Sequence, residues 1–360
     1  MIRPSVLKWL LCCSLLLLFS CCLLLVFDKQ PETKYKKSIP QLTTVVMNKM
    51  TPVKNQGIDS YCWIYAMLSA IETEHLMQGD SVHLSPVFVM RSLMDDAYVQ
   101  GCLSGGRREM SCRGMGITAV HLIERHGIVP YDSYHEMNAP ASDVVLQKIR
   151  QIVRAVSATR CGLQPYRSQV DNILDHTYGY LPHKVFFYGV EYTFGEFGRS
   201  VCSPGEYIGI TSFAHHPFGT CFSLEIPDNL ENNQLLNIPI DSLVHVTVRA
   251  VTQGHGVCWE GDITEHGFSF LNGFAMLPPD AIVSQASRQH GFETYKTTDD
   301  HCMAIVGIAR DAQGKSYFIM KNSWGTDNPF QGLMYMSEDY FRQKTIALFM
   351  SKAALTDQPF

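Results

Sequence analysis

Cys62, His301 and Asn322 are the side chains whose types fit covalent chemistry together, with Gln56 as a fourth. A thiol attacks an acyl carbon once it is a thiolate. An imidazole takes up the thiol proton and later returns it to a leaving amine. An amide oxygen accepts from the far ring nitrogen and fixes the ring. A second amide, with the backbone N–H of the cysteine, holds the oxyanion of a tetrahedral intermediate. The chemistry so described is acyl transfer through a thioester.

These residues need elements to hold them. Pro52-Val53-Lys54-Asn55-Gln56-Gly57 is turn-prone, and Trp63, Ile64, Ala66, Met67, Ala70 and Ile71 predict a helix with a wide buried face. Cys62 then sits at the helix N-terminus, where unpaired N–H groups and the helix dipole favour a thiolate. Gln56 lies six positions upstream, so a turn folds its amide back towards the sulfur. A cysteine at a helix start is by itself most often a small buried hydrophobe. The far end of the chain separates this one from that ordinary reading. His301 opens the apolar run Cys302-Met303-Ala304-Ile305-Val306-Gly307, and Asn322 follows Tyr317-Phe318-Ile319-Met320-Lys321 and leads into Ser323-Trp324-Gly325. Each run predicts a strand with one polar residue at its mouth.

Asn55-Gln56-Gly57 followed by Cys62-Trp63, a histidine before an apolar strand, and Lys321-Asn322-Ser323-Trp324-Gly325 together resemble the papain-like cysteine peptidases, in order and in the spacing from Gln to Cys. The resemblance implies Cys62 as nucleophile, His301 as general acid and base, Asn322 as the residue orienting the ring and Gln56 in the oxyanion hole. It implies that Trp324 shields the His301–Asn322 contact from water, with Trp63 as a supporting residue. It also implies peptide substrates, no cofactor and an α+β, two-lobed fold. The helical lobe carries the nucleophile. An antiparallel, barrel-like β lobe carries His301 and Asn322, with the site in the cleft between them.

His301 lies 239 positions after Cys62 (301 minus 62), a far longer separation than in papain itself. That length resembles the bleomycin hydrolase and aminopeptidase C branch, which carries a large insertion there. So do the element Glu191 to Phe197 and the strand Val257 to Asp262. The branch implies an aminopeptidase whose C-terminal carboxylate binds the free amino group of a peptide, and Phe360 would supply it here. A frayed terminus is the plainer reading of Ser351 to Phe360. A homo-oligomer follows only by analogy with that branch. Three other readings use the same residues: a papain-like endopeptidase, a transpeptidase or amidase, and an inactive membrane-bound binding module. In papain relatives a glycine edge hydrogen-bonds extended substrate; Gly105, Gly106 and Gly114 are the candidates, against a merely flexible loop. Tyr61 stands where the family commonly has a small residue or Arg, which suggests an unusual cleft near the sulfur.

The chain has 360 residues, 46% apolar and 18% charged, with a net charge of −5. That is a globular composition with no electrostatic footprint for nucleic acid. Residues Trp9 to Phe27 are uncharged and mostly apolar. As a helix they would span ~28 Å, close to a hydrocarbon core. A retained anchor, a cleaved signal peptide and a lipoprotein signal with Cys21 as the lipidated residue compete. Each predicts a membrane-anchored or exported protein. Residues 28–50 form a polar linker too short for the long pro-segment of papain zymogens. The expected organisation is a leader over 1–27, the linker, a helical lobe with insertion over 51–240, and a β-rich lobe with tail over 241–360.

Of twelve cysteines, four lie in the leader. No C-x-x-C pair predicts zinc, and His215-His216 near Cys221 reads as a structural turn rather than a metal site. Cys102 and Cys112 are the candidate disulfide, with buried free thiols the default. Ser85 and Pro86 start a helix, Gly127 closes one through Ala119, Val120 and Ile123, Ser142 to Val156 is strongly amphipathic, and Asp241 caps another. From Gly256 onward strands dominate.

Overall fold

Helix α1 (Cys62–Gln78) is buried on nearly all sides: from Trp63 to Glu74 every residue except Tyr65 is removed from solvent. A helix apolar all round needs partners all round, and the sequence supplies them from both directions. In the computed structural model, which describes residues 40–135 and 142–355, the described residues from Leu42 onward form one compact unit. The other helices are α2 (Pro86–Leu103), α3 (Gly116–His126), α4 (Ser142–Thr159), α5 (Gln164–Tyr178), α6 (Phe194–Val201), α7 (Ile240–Thr252), α8 (Gln285–Glu293) and α9 (Glu338–Lys344). The strands are β1 (Leu42–Met47), β2 (Val185–Phe187), β3 (Val190–Tyr192), β4 (Tyr207–Thr211), β5 (Cys221–Ser223), β6 (Gln234–Asn237) and β7 (Val257–Gly261). After them come β8 (Phe268–Ser269), β9 (Phe274–Ala275), β10 (His301–Asp311), β11 (Ser316–Lys321), β12 (Leu333–Ser337) and β13 (Thr345–Ser351).

One large mixed sheet runs β5-β6-β4-β13-β7-β10-β11-β12-β9-β8, with β1 paired to the second half of β10. All neighbours are antiparallel except β4 with β6 and β12 with β9. The central strands are covered on both faces, so they read as continuous apolar runs rather than alternating ones. Cys258, Cys302 and Phe349 face the helical core under α1. Trp259, Met303, Ile305, Leu348 and Met350 face a second core with Leu243 of α7 and Phe341 of α9.

Two buried glutamates of α1 tie it to the rest of the chain. Glu72 Oε1 accepts from Lys54 Nζ at 2.9 Å and from the Leu84 backbone at 2.8 Å, and Oε2 accepts from the Thr51 hydroxyl. Lys321, the last residue of β11, donates to Thr51 Oγ1 at 2.8 Å and Ser69 Oγ at 2.7 Å. Glu74 accepts from the Gly256 backbone at 3.2 Å and pairs with His255 Nδ1 at 2.8 Å. The second half of the helix is thereby fixed against the end of β11 and the start of β7.

Local signals are obeyed in several places. Ser85 caps α2 by accepting from the Phe88 backbone at 3.1 Å, and Gly127 ends α3. A Cβ on Gly127 would lie 2.1 Å from the Phe194 carbonyl oxygen, so that approach of α3 to α6 requires glycine. Within the Glu191 to Phe197 element, Thr193 and Glu196 form a capping box at the start of α6.

Two expectations change. Asp241 does not cap α7, which starts at Ile240 after Pro239; Asp241 sits in the first turn and pairs with Arg342 at 2.6 Å. The strand-rich part is interrupted by α8 and α9, and the sheet already includes β4, β5 and β6, which precede Gly256. Cys102 and Cys112 are unbridged, and the eight cysteines of the described residues are all free, Cys161 and Cys221 of them exposed. Among the described residues no helix is long and apolar enough to cross a membrane. Trp9 to Phe27, Cys21 and Phe360 lie outside the described residues.

Candidate active site

Cys62 is the first residue of α1, and its neighbour Tyr61 lends no side-chain cap, so the first N–H groups of the helix remain available near the sulfur. His301 is the first residue of β10, and Asn322 directly follows β11. Because those strands pair antiparallel with Ala304 opposite Lys321, His301 and Asn322 emerge at the same end of the sheet. Helix α1 packs across β10 and delivers Cys62 to that end.

His301 Nε2 lies 2.8 Å from Asn322 Oδ1, and both side chains are buried. The Asn322 oxygen also accepts from the Ser323 backbone at 2.8 Å, while its Nδ2 faces the Met334 sulfur at 3.7 Å. That fixes which end of the amide is oxygen. An oxygen only accepts, so Nε2 carries the proton and Nδ1 is left for the sulfur. The Trp324 ring lies over His301, centroids 4.6 Å apart, with Phe268 and Phe270 edge-on behind it. This aromatic cover lies over the ring that meets Asn322.

The Cys62 thiol is held well below its usual range. The Cys302 side chain hydrogen-bonded to it is the main cause, burial opposes, and the His301 ring adds a hydrogen bond and a positive field. Cys302 itself is pushed well above the usual thiol range, first by burial and then by hydrogen bonding to Cys258 and Cys62, so it stays a protonated donor. Sequence reasoning passed over Cys302, although its position directly after His301 was visible.

The Asn55-Gln56 segment is tied to the Asn322 loop at three points, two of them through Gln56. Its backbone N–H donates to the Ser323 carbonyl at 2.8 Å, its Oε1 accepts from Ser323 Oγ at 2.5 Å, and Asn55 forms a bridge to Trp324. Its Nε2 donates to the Asp59 carbonyl at 2.7 Å. An amide nitrogen has two protons, so one remains for a ligand oxygen.

Trp63 is buried and donates from Nε1 to the Cys112 carbonyl at 3.1 Å. Gly114 lies against the Trp63 ring, where an added Cβ would be 3.1 Å from it, and so flanks the nucleophile segment. Gly105 and Gly106 do not join it. Both have positive φ at the end of α2, and Gly106 faces Ser157 and Val153 of α4. Tyr61 does not shape the cleft either: it is fully buried, with its hydroxyl 3.4 Å from that of Tyr178. His215 and His216 meet Glu225 rather than Cys221, at 3.1 and 2.8 Å. Gln289 Nε2 sits 3.0 Å from His215 Nδ1, so Nε2 of that ring is the protonated nitrogen facing Glu225.

Residues 204–359 match the Peptidase C1-like family. The chain is 22% identical over 272 residues to aminopeptidase W of Lactobacillus delbrueckii subsp. lactis, which covers 65% of this chain and 61% of that protein. It therefore spans about three fifths of the length of that curated relative. The fold is similar to the crystal structure of PepW from Lactobacillus rhamnosis, with a TM-score of 0.69 at 18% identity over 87% of this chain and 82% of that one. The papain-like fold anticipated from three motifs is thus present.

Proposed function

We propose that this chain, which belongs to the papain-like cysteine peptidase superfamily, hydrolyses peptide bonds through a thioester on Cys62 and acts as an aminopeptidase of bleomycin hydrolase type. The observation that carries the reading is the line from the Cys62 sulfur through the His301 ring to Asn322 Oδ1, closed over by Trp324. Those side chains come from three elements and converge at one sheet end.

In this reading Cys62 and His301 react as a thiolate–imidazolium pair. The sulfur attacks the scissile carbonyl, and the oxyanion rests on the Cys62 backbone N–H and the spare Gln56 Nε2 proton. His301 Nδ1 protonates the leaving amine, then takes a proton from water as that water hydrolyses the thioester. Asn322 keeps Nε2 protonated and the ring aligned in both steps. Gly114 is the proposed edge for extended substrate backbone. The two-lobe division, a barrel-like closure of the β lobe, the Phe360 carboxylate in the cleft and delivery to a membrane or its far side belong to the same proposal.

The test is turnover of matched peptides with free and acetylated N-termini, with and without iodoacetamide. Cleavage of the free peptides, abolished by alkylation and by Cys62→Ala, is expected. An active Cys62→Ala variant removes the assignment, and equal cleavage of blocked peptides removes the aminopeptidase part.

A further inference from the structure

A cavity of about 600 Å³ opens beside the candidate site, lined by Arg113, Glu225, Glu293, Tyr295, Asp299 and Asp300 among others. Asp299 and Asp300 directly precede His301. Behind the wall, Glu260 of β7 lies opposite Cys302 of β10, one residue from the imidazole. Three carboxyls gather here: Asp228, Asp299 and Glu260. Asp299 and Glu260 are only 8% and 1% exposed. No amide, hydroxyl or cation donates to Asp299 Oδ2 or to either Glu260 oxygen, and the two carboxyls hydrogen-bond each other. Buried acids that have only one another as partners are costly and call for an explanation.

Arg113 is the cation that meets this group directly. Its Nε pairs with Asp228, and its Nη2 reaches the Asp299 backbone carbonyl at 3.3 Å rather than the carboxylate. Burial, then the neighbouring acids Asp299 and Asp228, pushes the Glu260 carboxyl well above the usual range, so it is held protonated. Burial raises Asp299 to about 6 and, with the Asp299 charge, raises Asp228 to about 7; the field of Cys62 reaches both. With Glu260 neutral, Asp228 and Asp299 share the single Arg113, while the Cys62 thiolate has the His301 imidazolium beside it. When both acids are ionised, they carry one negative charge more than Arg113 offsets. Among the described residues, the oxygens of these three acids do not form a set close enough to hold a metal ion. The space beside them, about 600 Å³, has room for any amino-acid side chain.

We infer that this cavity is a cation subsite, in which Asp299, backed by Asp228 and Glu260, binds a positively charged group of the substrate: its α-ammonium, or the head of a lysine or arginine side chain. The inference rests on the peptidase reading for its substrate, while the charge pattern itself does not depend on it.

Two measurements on the full chain test it. The first compares kcat/KM on four matched fluorogenic peptides: free N-terminus with neutral side chains, N-acetyl neutral, N-acetyl-lysyl and N-acetyl-glutamyl. A charged hydrogen bond supports a preference of about tenfold or more for a cationic substrate over N-acetyl neutral. Asp299→Asn should remove most of that preference, read as the ratio between cationic and neutral substrates so that any change common to both cancels. A free-amine preference that Asp299→Asn abolishes assigns the α-ammonium to this cavity, one that survives leaves it to the Phe360 carboxylate, and preference in the lysyl arm assigns the side chain. The second measurement follows modification of Cys62 by cationic and anionic methanethiosulfonates, read by mass spectrometry of the Cys62 peptide, and needs no turnover. The cationic reagent should react faster, and Asp299→Asn and Asp228→Asn should each narrow the ratio. If no peptide is cleaved yet the reagent ratio behaves so, the peptidase reading fails and the cation subsite stands. If peptides are cleaved with no charge dependence, or Asp299→Asn lowers all four equally, the subsite is overturned and the peptidase reading stands.

Discussion

Asn322 directs its side-chain oxygen at His301 Nε2 from 2.8 Å, and the Ser323 backbone N–H holds that same oxygen from 2.8 Å on the other side. The amide is thus locked before it orients the ring, and the ring's free nitrogen is left to the sulfur. Asn322→Ala removes the acceptor without touching Cys62. We expect kcat to fall about 10- to 100-fold with little change in KM, since the lost contact aligns a proton carrier rather than binding substrate. Steady-state kinetics on one peptide decide it, and an unchanged kcat would remove Asn322 from the machinery.

The Cys302 thiol is the main cause of the lowered Cys62 range. A lowered thiol pKa means that thiolate persists as pH falls below the usual thiol range, near 8.5. Iodoacetamide should therefore still label Cys62 well into the acidic direction. Cys302→Ala deletes the donor, and the midpoint of the labelling profile should move to higher pH. A profile that stays in place would show that His301 alone sets the thiolate.

Gln56 spends one amide proton on the Asp59 carbonyl and faces Ser323 with its oxygen. Gln56→Ala should cost about 100-fold in kcat, the order found for loss of one oxyanion donor. Ser323→Ala, which only frees the Gln56 oxygen, should cost less. The reverse ranking would place the oxyanion donor elsewhere.

Glu72 is fully buried and joins Lys54, Thr51 and Leu84, with Lys321 at 4.0 Å. Burial opposes its charge, but Lys54, Lys321 and the hydrogen bonds hold its carboxyl below the usual carboxylate value. A depressed folded pKa gives stability that is present above the unfolded value, about 4.3, and lost as pH falls through the folded one. Removing one partner of a buried ion pair strands the others, so Glu72→Gln should destabilise by roughly 3–5 kcal/mol. Denaturant titration at neutral pH, and again as pH is lowered below 4, checks both the loss and its disappearance in acid. Equal gaps between wild type and variant at both pH values would contradict the pairing.

Much of the site was legible because its residues are marked by short-range pattern. A helix start follows from Trp63, Ile64, Ala66 and Met67, and the strand mouths follow from one polar residue beside an apolar run. The helices α5, α8 and α9 were not read: each is short or largely polar on its solvent side, and packing against neighbours stabilises it rather than a strong local period. Tyr61 was misplaced for a related reason. Sequence gives a residue's neighbours along the chain but not which core its ring enters.

The amino-acid order by itself singled out the proposed nucleophile Cys62, its proposed base His301 and the amide of Asn322 behind that base, since residue type and order limit the chemistry they can do. Only the tertiary structure decided that Glu260, Asp228 and Asp299 gather beside the sulfur and that Cys302 donates to it. Those four come from separate strands and loops, and whether buried charges find a partner depends on distance in space. The sequence carried one hint, a glutamate inside the apolar strand Val257–Gly261, and strand pairing gave that hint a location by setting Glu260 opposite Cys302.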